Sequence, residues 1–427
     1  MTAVLALFII IFLLLNFSDS TLNRAENLNR DTNAEPAGGE EQADQSQILN
    51  VTVSMAEDEF SKLKEATNSY QMKHVNTMVK LTNIADEGDG YAQWKKALEL
   101  GAAPDIMLMN SEWVREFAVR GLLNPVDVPS TSDTMAERPA RLLDPLRWNS
   151  YLWGIPADAN PYVTVWNKTL LADAGLSKPP ADWSAFTNLL HKLESGAKAW
   201  QALYVEPHNV ASLLVWLDEW TAAGEGAGAS YLKFDSKAVQ EQLKRLDSIS
   251  GRITSSALAD YSLSIGTQME ERHIVAASIP WSIYSKLSAK EQNKLLLDKG
   301  AMHDVWLGSR SYVVAGTSEM KEEAFTWIKE MVEIGGQQQS YALTGKLPAK
   351  NSLYTGGENS IESGTAKAGG PPQWWLKVLN GEPSAQPPDP DWHERFLHTQ
   401  LLWQQYVEGE ITMKAFIQTI QAIGKPL

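Results

Sequence analysis

The chain has 427 residues, of which 44% are hydrophobic and 21% charged, so it can bury a sizeable core and is expected to form two or three domains. Its 52 acidic residues outnumber its 37 Lys and Arg residues. The resulting net charge of −15 argues against a nucleic-acid partner, because it repels phosphate backbones. The absence of cysteine excludes disulfides, a thiol nucleophile, cysteine-ligated zinc, iron–sulfur clusters and a lipidated cysteine.

The first 20 residues predict an export signal. Residues 3–15 form an unbroken apolar run of 13 residues, which is short for a membrane span of about 20 residues but matches the apolar region of a signal peptide. Ser18 and Ser20 supply small residues for cleavage before Thr21. Positive charge before the run is sparse, so residues 1–20 are predicted to be a signal peptide or an uncleaved N-terminal anchor, with a buried core helix as the alternative.

Residues 21–47 predict a flexible acidic tether. The segment has almost no large apolar side chains and contains acidic residues beside Pro36, Gly38 and Gly39. A segment of this composition cannot build a core.

From residue 48 the pattern alternates between short apolar strands and amphipathic helices. Strands are predicted at 48–53, 78–81 and 105–109, with a helix after each one. This order indicates βαβ units and a parallel sheet buried on both faces. Asn110 and Ser111 follow the third strand, so we expect them at the carboxyl ends of the strands, where open α/β sheets bind ligands.

The second part of the chain continues the alternation. Strands near 153–156 and 163–166 flank a predicted connector at 157–161, and helices are predicted at 213–220, 325–332, 396–407 and 413–423. Residues 356–372 are rich in Gly, Ser and Pro and predict a surface loop.

A search for catalytic chemistry finds little. The seven histidines form no i, i+4 pair, so a metal site is not expected, and the sequence has neither a nucleophile elbow nor a phosphate-binding loop. No cofactor is predicted. Carboxylate pairs such as Asp218 with Glu219 leave glycoside hydrolysis open, because that chemistry needs one acid and one base on either side of a sugar.

Tryptophan is abundant, with 16 residues. An indole face stacks on the apolar face of a pyranose and its N–H donates a hydrogen bond, so tryptophans in a cleft suit a sugar ligand. We assign most of the sixteen to the core and keep Trp281, Trp374 and Trp306 as cleft candidates.

Several stretches resemble the extracytoplasmic solute-binding proteins of ABC importers, specifically the sugar-binding group that includes maltose-binding protein. The resemblance covers residues 49–423. Its most specific block is WGIPADANPYVTVWNKTLLADAGLSKPPADWSAF (153–186), and it also includes GAAPDIMLMNSEWVREFAVRGLLNPVD (101–127), AASIPWSIY (276–284), LGSRSYVVAGTSEMKEEAFTWIKEMV (307–332) and EGEITMKAFIQTIQ (408–421).

The resemblance implies an α/β, two-lobe periplasmic-binding-protein-like fold of type II, with a hinge and an interlobe cleft. Lobe 1 would comprise residues 48–158 and 303–347, and lobe 2 residues 159–302 and 348–427. Asp158 falls where the family often places a carboxylate that binds sugar hydroxyls. Trp281 and Trp374 fall where it stacks sugar rings, and Asn110 and Ser111 fall at the rim of the first lobe.

Two departures from the family pattern matter. The family's paired glycines before a strand appear here as Gly308-Ser309-Arg310, so we expect Arg310 either to recognise a carboxylate or sulfate on an acidic sugar or to be paired on the surface. The lipid-attachment cysteine usual in Gram-positive members is missing. The protein is then held by an uncleaved anchor at the extracytoplasmic face of the membrane, or is freely periplasmic or secreted, and is not a lipoprotein.

The resemblance therefore implies a monomeric, non-enzymatic binding protein that takes a carbohydrate, expected to be an oligosaccharide, and delivers it to ABC permease subunits. Two alternatives stay open. The first is a sugar sensor coupled to a membrane kinase, and the second is a secreted glycoside hydrolase.

Overall fold

The computed structural model describes residues 47–84, 90–128, 131–196, 199–220, 232–255, 265–299, 306–354, 370–381 and 390–423. The predicted leader, all but the last residue of the predicted tether, and most of the predicted loop at 356–372 lie outside the described residues.

The first lobe begins as a βα alternation, as the sequence predicts. The elements are β1 (Gln47–Val53), α1 (Glu57–Lys73), β2 (Thr77–Asn83), α2 (Tyr91–Glu99), β3 (Ile106–Asn110), α3 (Ser111–Val119) and β4 (Leu123–Asn124). Strand β1 pairs in parallel with β2 and β3. Its alternate residues Leu49, Val51 and Val53 are completely buried, which anchors the sheet on the helices at that face.

Three later strands complete this sheet in antiparallel orientation. They are β7 (Ile155–Ala159), β13 (Arg310–Ala315) and β14 (Leu347–Pro348), and the strand order is β14-β7-β13-β3-β1-β2 with β4 beside β13. Between β4 and β7 lie α4 (Ser132–Ala136), α5 (Ala140–Leu143) and a small hairpin of β5 (Arg147–Trp148) and β6 (Tyr151–Leu152). The first sheet is therefore assembled from three separate parts of the chain.

The second lobe is built on a five-stranded sheet of order β10-β9-β11-β8-β12. Its strands are β8 (Tyr162–Asn167), β9 (Gln201–Tyr204), β10 (Ile253–Thr254), β11 (Ile274–Pro280) and β12 (Leu295–Leu297). Its helices are α6 (Lys168–Asp173), α7 (Trp183–Glu194), α8 (Ala211–Asp218), α9 (Lys237–Ser248), α10 (Ile265–Glu271), α11 (Trp281–Ser285) and α12 (Ala289–Gln292). The side chains of Asn167, Asp182 and Ser236 cap the N-termini of α6, α7 and α9.

The remaining helices divide between the two cores. Phe325, Trp327 and Ile328 of α13 (Lys321–Met331) pack in the core of the first lobe, and α14 (Ile334–Thr344) follows directly. Helices α15 (Trp374–Leu379), α16 (Trp392–Val407) and α17 (Met413–Ile423) place their buried residues in the cores around the second sheet. This membership supports our proposal of two discontinuous lobes, 48–158 with 303–347 and 159–302 with 348–427.

Two details differ from the sequence prediction. Both sheets are mixed rather than purely parallel, because returning strands pair antiparallel with the parallel core. The predicted connector at 157–161 is also shorter than expected. Residues 157–159 belong to β7, because β13 and β14 pair with this strand on both sides, so only residues 160 and 161 separate β7 from β8.

Within the described residues, no helix combines the length and the apolar character that crossing a membrane requires.

Helix α16 offers a matched test of core packing. Leu402 is 8% exposed and its neighbour Leu401 is 54% exposed. We predict that Leu402→Ala lowers the free energy of unfolding by about 2–5 kcal/mol, because it leaves a cavity in the second lobe. Leu401→Ala, the control, changes it by less than about 0.5 kcal/mol. Urea denaturation measures both, and equal losses would contradict the placement of this helix.

Candidate ligand-binding cleft

By the lobe bounds proposed above, the chain passes between the lobes three times, and two of these crossings run side by side. The amide of Asn160 donates to the carbonyl of Leu307 at 2.9 Å, and the amide of Tyr162 donates to the carbonyl of Trp306 at 3.2 Å. Gly308 has a φ of +49°, and a Cβ added there would lie 3.0 Å from the carbonyl oxygen of Asn160. The left-handed backbone and the close approach both favour glycine at this position. We call residues 159–162 and 306–310 the crossing segments.

The carboxyl ends of the parallel strands lie at the edges of the sheets beside these crossing segments. In the first sheet, Asn110 ends β3 and is paired with Arg310, the first residue of β13. In the second, Pro280 ends β11 and is paired with Tyr162, the first residue of β8. Ligands of α/β proteins bind at such edges, so the crossing segments mark the candidate cleft.

A buried charged cluster lies at this edge of the first sheet. The guanidinium of Arg310 donates to both carboxylate oxygens of Asp158 and to Glu59, and the Lys346 ammonium lies 3.0 Å from the Glu59 carboxylate. Asp158 is 6% and Glu59 8% exposed. Burial raises the pKa of Glu59, but Arg310 and Lys346 outweigh it and hold the pKa below its usual value. Two cations thus balance two carboxylates.

This balance changes the roles expected for Asp158 and Arg310. Asp158 accepts hydrogen bonds from Arg310, where the sequence predicted bonds from sugar hydroxyls. Arg310 is paired, but in the interior rather than on the surface, and its charge is already compensated. An acidic sugar is therefore not favoured as its partner. The cluster instead ties α1, β7 and β13 together next to the crossing segments.

A second group combines aromatic rings with an uncompensated carboxyl. Trp306 stacks on Tyr162 with ring centroids 5.8 Å apart and planes 7° from parallel, and its Nε1 donates to Glu112 Oε1 at 2.8 Å. The Tyr162 hydroxyl accepts from Asn209 Nδ2 at 2.7 Å. We call Glu112, Tyr162, Asn209 and Trp306 the Glu112 group. It joins α3 of the first lobe to β8, to the segment after β9, and to a crossing segment.

Burial raises the pKa of Glu112 to about 7, although hydrogen bonds from its own backbone amide and from Trp306 oppose the shift. Among the residues that the structure describes, no cation contributes to this shift, in contrast to Glu59. The carboxyl is therefore partly protonated at neutral pH and can donate as well as accept a hydrogen bond.

The other predicted residues fall in different environments. Asn110 is exposed at the end of β3, as expected for a rim residue. Ser111 is completely buried, and its hydroxyl bonds that of Ser311 at 2.8 Å, so it faces the sheet rather than the rim. The first residue of a helix that follows a strand directly can point back into the sheet, and the sequence carries no signal for this.

Trp281 and Trp374 do lie together. Their rings meet edge to face at 5.7 Å, and Trp375, which the sequence analysis missed, stacks on Trp374 at 4.5 Å. Trp281 is only 2% exposed because these rings and Tyr284 cover it. The conformation described here thus places Trp281 inside an aromatic core rather than on an open wall.

The sequence analysis also missed Glu112, Tyr162, Asn209, Glu59 and Lys346. Glu112 and Tyr162 carried a usable signal, since Glu112 lies three residues after the predicted strand at 105–109 and Tyr162 directly precedes the predicted strand at 163–166. The other three reach the site only through tertiary packing.

A scan against protein families matches residues 65–368 to the bacterial extracellular solute-binding proteins. The chain belongs to this family. A maltotriose-binding protein of Pyrococcus abyssi is 23% identical over 202 residues, which are 45% of this chain and 41% of that protein. The match thus spans about two fifths of the relative's length.

Solved structures of similar fold include two sugar-binding proteins. MalE from the phytopathogen Xanthomonas citri superposes with a TM-score of 0.63 at 15% identity, covering 88% of this chain and 96% of that one. The galacto-N-biose/lacto-N-biose I-binding protein of a Bifidobacterium longum ABC transporter, in complex with lacto-N-biose, gives 0.64 at 12% identity with the same coverage. At these identities the likeness shows the two-lobe fold alone.

The Arg310 cluster predicts a large stability loss when it is broken. Arg310→Met leaves two buried carboxylates with one cation, which we expect to lower the free energy of unfolding by about 3–5 kcal/mol. Adding Glu59→Gln and Asp158→Asn should recover most of it, because the orphaned charges are removed. Lys244→Met, which removes an exposed ion pair, is the control and should cost less than about 1 kcal/mol. A single Arg310 variant as stable as the control would refute the assignment.

The raised pKa of Glu112 predicts a pH effect with a definite sign. Between the ordinary value of 4.5 and about 7, the folded protein holds a proton that the unfolded chain has lost, so stability falls as pH rises through this window. Glu112→Gln removes this contribution, and its stability relative to wild type should rise by about 3 kcal/mol between pH 4.5 and 8. Urea unfolding at several pH values measures it, with the exposed Glu408→Gln as control. Parallel profiles for all three proteins would contradict the prediction.

Proposed function

We propose that the protein is the extracytoplasmic substrate-binding component of an ABC importer. It binds a carbohydrate, an oligosaccharide, between its lobes as a monomer and delivers it to a membrane permease. Membership in the extracellular solute-binding family supports this, and so do the sugar ligands named for a curated relative and for the structures of similar fold.

The Glu112 group is the observation that carries the carbohydrate assignment. A pyranose presents an apolar C–H face and a rim of hydroxyl groups, so it needs an aromatic face together with groups that both donate and accept hydrogen bonds. Trp306 and Tyr162 supply rings. Glu112 and Asn209 supply a carboxyl and an amide at the same place.

The position of the group suggests how binding is coupled to closure. Glu112 belongs to the first lobe, whereas Tyr162 and Asn209 belong to the segments of the second. A ligand that touches all three is held from both sides only when the lobes are close. Its affinity then differs between open and closed forms, and this difference shifts the population towards the closed form.

We further propose that the protein binds its ligand without hydrolysing it. The carboxylate pair considered for hydrolysis includes Glu219, which is 5% exposed, accepts a hydrogen bond from Thr164 of β8 and has its pKa raised to about 8 by burial. Glu219 is thus held against the second sheet. Incubating the protein with oligosaccharides and assaying new reducing ends tests this proposal, and a stoichiometric excess of new ends would overturn it.

The binding experiment combines intrinsic fluorescence with thermal melting across a panel of neutral and acidic mono- and oligosaccharides. A ligand bound by the folded state alone raises the melting temperature, and we expect this for a neutral oligosaccharide. If no glycan shifts either signal, the carbohydrate assignment fails.

For the ligand so identified, Trp306→Ala should weaken binding at least tenfold, since it removes both the ring and its N–H. Trp306→Phe keeps the ring and should lose less. Trp148→Ala, on the exposed β5–β6 hairpin, is the matched control and should leave the affinity unchanged. Isothermal titration calorimetry measures all three, and equal affinities for the two alanine variants would place the ligand elsewhere.

A further inference from the structure

Exposed apolar side chains of the first lobe gather at one end. In parallel βα units, each helix returns from the carboxyl end of one strand to the start of the next, so helix C-termini and strand starts share one edge of the sheet. In this lobe that edge lies opposite the cleft. Eleven large apolar side chains are exposed in the described part of the chain, and six of them belong to this edge: Ile48, Met72, Val75, Met78, Leu100 and Val119.

Four of the six surround the point where the chain enters the lobe. Ile48 is paired with Met78 across β1 and β2, and the amide of Gln47 donates to the carbonyl of Asn76 at 3.1 Å, next to Val75. Val75 is 79% and Met72 75% exposed. Single exposed apolar residues are ordinary on a protein surface, but a group of such exposed side chains at one end marks an interaction surface.

Two ion pairs lie at this end of the lobe. Lys73 lies 3.2 Å from Glu330, and Arg120 lies 3.0 Å from Glu99. These four charges compensate one another, although the whole chain carries −15. Such a surface suits the interface of an uncharged or zwitterionic bilayer, in which Met and Val enter the acyl boundary and Lys stems reach the headgroups.

The chain that precedes Gln47 indicates which occupant to expect. It contains the apolar run at 3–15, followed by a polar segment, and the polar segment has too few large apolar residues to cover the patch itself. Residues 21–47 can span at most about 90 Å even when fully extended. If the run is held in a membrane, this end of the lobe stays within that distance of lipid, where even a weak apolar contact is occupied often.

We propose that the apolar end of the first lobe, formed by Ile48, Met72, Val75 and Met78 with Leu100 and Val119, docks on a zwitterionic lipid surface. The carboxyl ends of the parallel strands β1, β2 and β3 point the opposite way, so docking turns the candidate cleft away from the bilayer towards the solute. In this orientation the protein captures ligand, and it must leave the lipid surface for delivery. The docking itself does not depend on the identity of the ligand.

The absence of cysteine permits a clean test on the full chain. Val75→Cys, and separately Leu401→Cys on the exposed face of α16, are labelled with an environment-sensitive fluorophore. Each protein carries an N-terminal hexahistidine tag and is held on phosphatidylcholine vesicles by a nickel-chelating lipid, so tethering does not require the leader to insert. Bromine on the acyl chains then quenches any label that enters the lipid.

We expect at least threefold stronger quenching at position 75 than at position 401. Met72→Ser with Met78→Thr should bring the signal at position 75 down to that of position 401, whereas Leu397→Ser in a protein labelled at 75 should leave it unchanged. Equal quenching at both sites, or quenching at 75 that survives the Met72 and Met78 substitutions, would overturn the proposal. A change in fluorescence at position 75 that depends on the amount of protein per vesicle, but not on bromine, would also overturn the proposal. It would assign the surface to a second copy of the chain.

Discussion

The close approach of the two crossing segments is the constraint on which the rest of the structure depends. The amides of Asn160 and Tyr162 in one segment donate to carbonyls of the other, and the positive φ of Gly308 together with its close approach to the Asn160 carbonyl favours glycine there. Within two residues of this contact, each segment enters a strand of a different sheet. At these two crossings, the lobes can therefore move relative to one another only through torsion of very few residues. Residues just beyond the crossing belong to a fixed frame, and this explains why the charged and aromatic groups of both lobes converge there.

The two polar groups beside the crossing follow opposite electrostatic rules. At the Arg310 cluster, burial of two carboxylates is offset by two cations, so the group is satisfied internally and serves to hold α1, β7 and β13 in register. At Glu112, burial is not offset by a cation and the pKa rises instead. In the Arg310 cluster the charged groups already bond one another, which leaves few hydrogen-bonding positions for a neutral ligand. The Glu112 carboxyl accepts from one indole donor and retains further hydrogen-bonding capacity. The charge balance thus distinguishes the internally paired Arg310 cluster from the Glu112 group, which we propose for recognition, more reliably than residue type does.

The sequence predicted features that follow a local pattern, but not features that depend on contacts between distant residues. Strand and helix periodicity predicted the first βα units and the closing helices closely, because those elements bury one face along a regular pattern. It did not predict that β7 continues through Asp158, since the partners that extend this strand, β13 and β14, lie about 150 and 190 residues further along. The same limit applied to the residues of the candidate cleft. Trp306 and Asn110 could be found from residue type and strand ends, but the pairing of Arg310 with Glu59 spans 251 positions and leaves no local trace. Ser111 and Trp281 were placed at the right elements but on their buried sides, because one rotation about a helix start decides which way a side chain points.

The first lobe has a chemical polarity along its strands that unites these observations. At the carboxyl ends, side chains are charged or hydrogen-bonding and are drawn into the interior by the crossing segments. At the strand starts, apolar side chains stay exposed although the lobe has a well-filled core to receive them. Helix length does not account for this. Met72 is exposed in the last turn of α1, the turn that also holds the buried Tyr70, and Val75 follows the helix, so polar residues would serve as well at both positions. Buried polar side chains at the carboxyl ends of the strands and exposed apolar side chains at the strand starts give the lobe an axis with two chemically different ends. Such an axis fits our proposal that the apolar end docks on lipid, because the candidate cleft then faces the solution.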